Sequence, residues 1–452
     1  MTSRIYIILL ADDTTNNYAV DAAGGSTQSS TLSAIADDLF TSLSSMGAAF
    51  ELLSSTVRET PARLLSSQAS SSTTATGAGG LPILIMRLDK KGADFCSTNP
   101  NIESIESDAV IKVTPIVHSA ESFLPYQNAP SASLDRIDQR SLPLDGQFRF
   151  VADGAGVDAY ILDSGILASH VEFSGRVSSG ANFAEDRATG DDTDYSDCSG
   201  HGTHVTSLLA GTTYGSGKRV RVHPVRVMKC DNEGTLAAAL LGIDFVLRKA
   251  KETPSRHFVV NLSWGGDKSG ILDAGIARLI SAGGLVVAAA GNDDKDSCFI
   301  SPAGSPNVIS VASSSISDTY SSFSNFGPCV SVVAPGEFVL GAGIKSPTDT
   351  ATLSGTSMAS PIVAGVAATY WEIHPTESAQ SVRAAIICSS TFGAVTRLPN
   401  VQTTSRLIYA DPNGWTTLPE DCRAISSASS PSISLIACTC LWAALAWRFR
   451  GA

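Results

Sequence analysis

The sequence predicts an α/β protein, and three observations carry that expectation. From about residue 128 onward, short apolar runs alternate with helical patterns, as βαβ units that share one parallel sheet do. The 452 residues are 43% hydrophobic and 16% charged, which excludes disordered and collagen-like classes and leaves a globular chain long enough for two or three domains. A net charge of -12, from 43 acids against 31 Lys and Arg, offers no basic footprint and argues against a nucleic-acid partner.

Taken in order, residues 4–11 read as a strand. They are apolar enough to suggest the core of a signal segment, but Asp12 and Asp13 follow at once and no small-residue cleavage site is evident. Leu32, Ile35, Leu39 and Leu43 have near-helical spacing within residues 31–46, and residues 49–53 form a second strand-like run. Residues 66–80 are low-complexity, cannot bury apolar area and are expected to form a flexible insertion. Residues 81–88 and 109–113 add strand-like runs, which completes a small mixed unit. The parallel strands are expected at 157–162, 220–227, 258–262, 284–290 and 308–311. Leu236, Leu240, Ile243 and Leu247 mark one connecting helix, and Leu272, Ile276 and Leu279 mark another.

In a parallel sheet, ligands sit beyond the carboxyl ends of the strands. Asp163, Ser263 and Asn292 each stand just after an apolar run. Two further segments read as helix starts, Gly200-His-Gly-Thr-His204 and Gly355-Thr-Ser-Met-Ala-Ser-Pro361. A helix start offers unpaired N–H groups and the positive end of a dipole, which suits a hydroxyl nucleophile that generates an oxyanion. Taken singly, each residue has a plainer reading: an aspartate after a strand is usually a cap. His204 is expected under its helix as a structural residue, with a His-x-x-His metal pair as the alternative. Five aspartates (186, 191, 192, 194 and 197) suit oxygen ligation of calcium or, alternatively, a solvated acidic loop.

Together, Asp163-Ser-Gly-Ile166, Gly200-His-Gly-Thr-His-Val205, Ala288-Ala-Ala-Gly-Asn292 and Gly355-Thr-Ser-Met-Ala-Ser-Pro361 resemble the four signature blocks of the subtilisin-like serine proteases. Leu134-Asp-Arg-Ile-Asp138 and Ser321-Ser-Phe-Ser-Asn-Phe-Gly327 resemble the proteinase K branch, and the similarity covers roughly residues 127–410. The resemblance implies a subtilisin-like parallel sheet flanked by helices, and a serine endopeptidase with polypeptide substrates and no cofactor for its chemistry. Ser357 would be the nucleophile, His201 the general base and then acid, Asp163 the carboxylate that orients the imidazole, and Asn292 the oxyanion donor. Ser263, Trp264 and Gly265 would form the substrate-binding strand and cleft wall, with Gly234 on the opposite edge. Ala289, Ala290 and Gly291 would line a primary pocket for apolar or aromatic side chains. One departure stands out: where the proteinase K pattern has a calcium aspartate, this chain has Ser331, so structural calcium is in doubt at that position.

The resemblance also divides the chain. Residues 1–120 are similar to an inhibitory, ferredoxin-like α+β prosegment whose last strand spans residues 105–111. It would be cut from the chain between about Val113 and Tyr126 and would bind in the cleft as an intramolecular inhibitor. The catalytic domain would be 127–412, followed by a polar linker at 413–432 and an apolar tail at 433–447. That tail is short for a bilayer span, so a thin spanning helix, an anchor signal and a segment lost on maturation stay open. The cysteine pairs Cys198–Cys230 and Cys298–Cys329 are implied by the same likeness, with Cys388–Cys422 a weaker third. Cys96, Cys438 and Cys440 are left over from the nine. Such bridges need an oxidising compartment, extracellular or vacuolar, and the expected protein is a monomer whose N-terminal signal is missing from this chain. The rival readings are a catalytically silent binding protein that keeps its prosegment in the cleft, and a maturation protease with one substrate.

Overall fold

The computed structural model describes residues 3–11, 27–55, 81–113, 131–186 and 192–415. The low-complexity stretch 66–80, the apolar tail 433–447, Cys422, Cys438 and Cys440 lie outside the described residues. In the N-terminal unit, β1 (Arg4–Leu10) is followed by α1 (Thr27–Ser45), β2 (Phe50–Ser55), β3 (Ile83–Leu88), α2 (Lys90–Thr98) and β4 (Ile102–Ser107). The strands form one antiparallel sheet in the order β2-β3-β1-β4, a ferredoxin-like split βαβ arrangement. Side chains alternate between its faces. Ile8, Leu10, Leu84 and Met86 join the core under α1 and α2, while Ile7, Leu9, Ile83 and Ile85 join a core shared with the second unit.

The expected last strand, 105–111, is in fact two. β4 ends at Ser107, and β5 (Val110–Lys112) begins after a break at Asp108 and Ala109. The cause is the start of a helix in the second unit. Asp108 Oδ1 accepts the Ala237 N–H at 3.1 Å, and the Ala109 carbonyl accepts the Leu236 N–H at 2.8 Å.

The second unit continues with α3 (Ala132–Ile137), β6 (Asp158–Asp163), β7 (Ala181–Asn182), α4 (His201–Ala210), β8 (Arg221–Arg226), β9 (Glu233–Thr235) and α5 (Leu236–Glu252). Then come β10 (Phe258–Leu262), β11 (Gly266–Asp267), α6 (Gly270–Ser281), β12 (Leu285–Ala289), β13 (Ile300–Ser301), β14 (Ile309–Ser314) and β15 (Val332–Pro335). β16 (Val339–Ala342), β17 (Thr350–Leu353), α7 (Thr356–Ile373) and α8 (Ala379–Ser389) close the order. Seven strands form one sheet, β15-β14-β12-β10-β6-β8-β7, with every neighbouring pair parallel. Every residue of β6, β10 and β12 is buried, which is why those strands read as unbroken apolar runs. On one face lie α5 and α6, whose N-caps Thr235 and Ser269 accept from the N–H groups of Ala238 and Leu272. On the other lie α4, α7 and α8. Among the described residues, no helix is long and apolar enough to cross a membrane.

Candidate active site

The carboxyl ends of β6, β10 and β12 converge with the starts of α4 and α7. At the end of β6, Asp163 is fully buried, and its Oδ1 lies 2.7 Å from Nδ1 of His201, the first residue of α4. The Ser164 N–H donates to the same oxygen at 2.7 Å. Burial works against a charged imidazole, but the charge and hydrogen bond of Asp163, with a further contribution from Asp197, outweigh it and raise the His201 pKa. Nε2 of His201 is the buried ring nitrogen without a hydrogen-bond partner among the described residues, so it is the atom available to take a proton.

Ser357 is the second residue of α7. Its Oγ donates to the Ser263 carbonyl at 2.9 Å, and Ser263 Oγ donates back to the Ser357 carbonyl at 3.0 Å. The second bond has a covalent reason. Pro361, four residues on and inside the helix, has no N–H to give that carbonyl, and Ser263 supplies the missing donor. Asn261 Nδ2 donates to Ser263 Oγ at 2.9 Å and its Oδ1 accepts from Ser360 at 2.8 Å, which ties β10 to α7 through a buried network. The Oδ1 of Asn292 accepts the N–H of Thr356 at 2.8 Å and its hydroxyl at 2.9 Å, which fixes the direction of the carboxamide. Gly355, with φ +148°, adjoins this group, and a Cβ there would stand 3.2 Å from Asn292 Nδ2. The sequence-predicted residues thus form two bonded groups, Asp163 with His201 and Ser357 with Ser263, with Asn292 held by Thr356. Thr356 and Ser360 lie in the block Gly355–Pro361 without a role assigned from sequence, and Asn261, in β10, precedes Ser263.

The cleft edges are occupied. β5 runs antiparallel to β9, with Val110 opposite Thr235, Ile111 opposite Gly234 and Lys112 opposite Glu233. On the other edge Lys112 exchanges both backbone hydrogen bonds with Gly265, at 3.0 and 3.1 Å. The buried Ile111 side chain fits between two glycines: a Cβ on Gly234 would meet it at 3.3 Å and one on Gly266 at 3.5 Å. Gly266 is a cleft residue that sequence reading missed.

Trp264 is 2% exposed, donates Nε1–H to the Leu162 carbonyl at 2.8 Å and shares its buried cluster with Ile111 and Val113 of the segment that occupies the cleft. Ala289 and Ala290 are buried at the end of β12, and Gly291 follows with φ +105°. His204 is structural: its Nε2 lies 3.1 Å from the carbonyls of Val339 and Ala351, and burial pushes its pKa down to about 4.

Of the five aspartates read as calcium ligands or as a solvated acidic loop, Asp191 lies outside the described residues, and three of the others hold protein groups. Asp186 is bidentate on Arg226 at 2.8 Å, and Asp194 accepts the Ser196 N–H. Asp197 is the residue that sequence reading undervalued. Its Oδ1 accepts from Ser164 Oγ, the Ser199 N–H and the Gly200 N–H, and its Oδ2 from the N–H and hydroxyl of Thr203. It therefore organises the start of α4. The bridges Cys198–Cys230 and Cys298–Cys329 are formed, Cys388 is also bridged, and Cys96 is a buried free thiol. Asp186 lies beside the first bridge, whose sulfurs are thereby unavailable to a metal.

A parallel sheet that presents a buried carboxylate–imidazole pair beside a helix-start serine defines the class of α/β serine hydrolases. Residues 154–407 match the subtilase family, over more than half of the chain, and the chain belongs to that family of subtilisin-like serine proteases. It is 41% identical over 293 residues to an extracellular serine proteinase of Thermus sp. (strain Rt41A), covering 65% of this chain and 67% of that protein. It is 40% identical over 303 residues to alkaline serine exoprotease A of Vibrio alginolyticus, covering 66% of this chain and 53% of that one. The chain thus spans between about half and two thirds of these relatives. A crystal structure of a cold-adapted subtilisin-like serine proteinase is similar with a TM-score of 0.58 and 39% identity, covering 63% of this chain and 99% of that one.

Proposed function

We propose that the protein is a serine endopeptidase made as an autoinhibited zymogen, with residues 1–120 as the inhibitory prosegment and 127–412 as the catalytic domain. The observation that carries this reading is the Asp163–His201 pair beside Ser357, with β5 lying product-like along the cleft edges at Gly234 and Gly265. The Ser357 hydroxyl turns from the Ser263 carbonyl to His201 and gives its proton to Nε2 as Oγ attacks the scissile carbonyl. The imidazolium, stabilised by Asp163, then returns the proton to the leaving amine. A water attacks the acyl-enzyme by the same route, which restores Ser357 and releases the acid. Asn292 and the Ser357 N–H receive the oxyanion. The substrate strand adds to Gly265 and Gly234 through its backbone, so recognition there depends little on sequence, and Ala289, Ala290 and Gly291 favour apolar or aromatic side chains before the scissile bond. The bridged cysteines and the extracellular Thermus relative support an oxidising, secretory compartment.

A fluorophosphonate probe tests the reading. Chain freed of its N-terminal unit is expected to label covalently, and Ser357→Ala to abolish labelling. A second reading, a silent binding protein that retains the N-terminal unit, is favoured by the same occupied cleft. Failure of freed, folded wild-type chain to label would establish it.

A further inference from the structure

Beside Ser331, where the chain enters the amino ends of β14 and β15, a pocket of about 630 Å³ opens between residues 303–308, residues 328–331, α8 and residues 402–406. Its charged lining residues are Arg383 and Arg406, and no carboxylate among the described residues lines it. Arg383 spends Nε on the Val308 carbonyl at 3.4 Å, and Arg406 spends Nη1 on the Cys388 carbonyl at 3.3 Å with its guanidinium over the Phe392 ring. Each keeps further N–H donors, and neither has an ion-pair partner among the described residues. Asp273, bonded to the lining residue Ser305, is already held by Ser301, Ser305 and Lys268.

These surroundings do not fit a divalent cation. Ser331 Oγ is used between the Ser310 N–H and the Val308 carbonyl, and Arg383 brings a positive charge to that same carbonyl. Two guanidiniums without a counter-ion repel each other, and partial burial sharpens the cost. Planar N–H forks with the Thr404 hydroxyl and Gln402 amide nearby are the donors that tetrahedral oxyanions take. We propose that this pocket is an anion site for a small oxyanion of the phosphate or sulfate type, standing where the proteinase K-like pattern carries a calcium aspartate. Its location, lined by the bridged Cys329 and by α8, makes the anion a clamp between that loop and the helix.

The test is calorimetry of the full chain, in its Ser357→Ala form to prevent self-cleavage, in sodium phosphate against sodium chloride at equal ionic strength and with EDTA throughout. Phosphate is expected to raise Tm by about 2 to 4 °C in a saturable way. Arg383→Met with Arg406→Met removes the shift. Should that variant fail to fold, Ser331→Asp provides the second arm, since its carboxylate would neutralise Arg383 and likewise abolish the phosphate response. An absent shift in the parent chain, or a shift that survives either substitution, overturns the proposal. Hydrolytic activity of the active parent is not the readout, so a failure here is separable from failure of the protease reading.

Discussion

Asp197 shows how one carboxylate can govern a site without touching substrate. It accepts five hydrogen bonds around the start of α4, and His201 is the first residue of that helix. Asp197→Ala should cost about 1 to 2 kcal/mol of stability, read as a lower Tm, and should lower kcat by displacing the imidazole. It should also move the acid limb of the pH–rate profile downward, because the Asp197 charge helps to raise the His201 pKa. That limb follows from the direction of the shift. The base must be neutral, so hydrolysis is expected to fall as pH drops through a value above the ordinary 6.5, and Asp163→Asn should shift the limb down and cut kcat by roughly 10⁴. The linkage to folding has the opposite sense for the two histidines. The stability that His201 gains is present at low pH and lost as pH rises through its raised pKa. His204, lowered to about 4, takes stability away as pH falls from about 6.5 toward 4. Asn292→Ala should lower kcat by roughly 10² to 10³ with KM little changed if, as proposed, the carboxamide acts on charge that develops only in the transition state.

At the scale of elements, two acids of the N-terminal unit meet the starts of two helices. Glu106 accepts from Ser269 Oγ at 2.7 Å and from the Ile271 N–H at 3.1 Å at the head of α6, and Asp108 accepts the Ala237 N–H at the head of α5. Negative charge at helix starts is favourable, so these contacts anchor the unit while β5 enters the cleft. Burial raises the Asp108 pKa, with its backbone hydrogen bonds opposing. Glu106→Ala and Ile111→Ala should each shorten the lag before full-length chain becomes active, by about tenfold in retention of the unit, as assayed by peptide hydrolysis against time. An unchanged lag would mean that these contacts do not hold the unit in place.

For the whole molecule, Cys198–Cys230 and Cys298–Cys329 close loops of 32 and 31 residues, one beside the start of α4 and one beside the segment after Asn292. Each is expected to contribute roughly 3 to 4 kcal/mol, so reduction should lower Tm sharply. The division into units makes a further prediction. The mature N-terminus, read by mass spectrometry, should fall between Val113 and Tyr126, and a mature chain that still begins near residue 1 would overturn the zymogen reading.

The sequence by itself determined five of the seven parallel strands, β6, β8, β10, β12 and β14, and the order of the signature blocks, while the two edge strands β7 and β15 escaped it. An apolar run buried on both sides, and a helix start marked by glycine, are properties of short stretches that hold wherever the chain folds. Asp163, His201, Asn292 and Ser357 each stand at the end or the start of such a stretch, but singly each has a plainer reading, and the roles expected of them came from the resemblance of the four blocks to the subtilisin-like family. Only the tertiary structure decided what depends on groups distant in sequence. Trp264 is fixed by its bond to the Leu162 carbonyl and clustered with Ile111 and Val113, residues far from it along the chain. The expected strand 105–111 broke because the head of α5 captured residues 108 and 109. Asp197 turned from one of five acids into the organiser of α4, because burial leaves N–H groups at a helix start with few other partners.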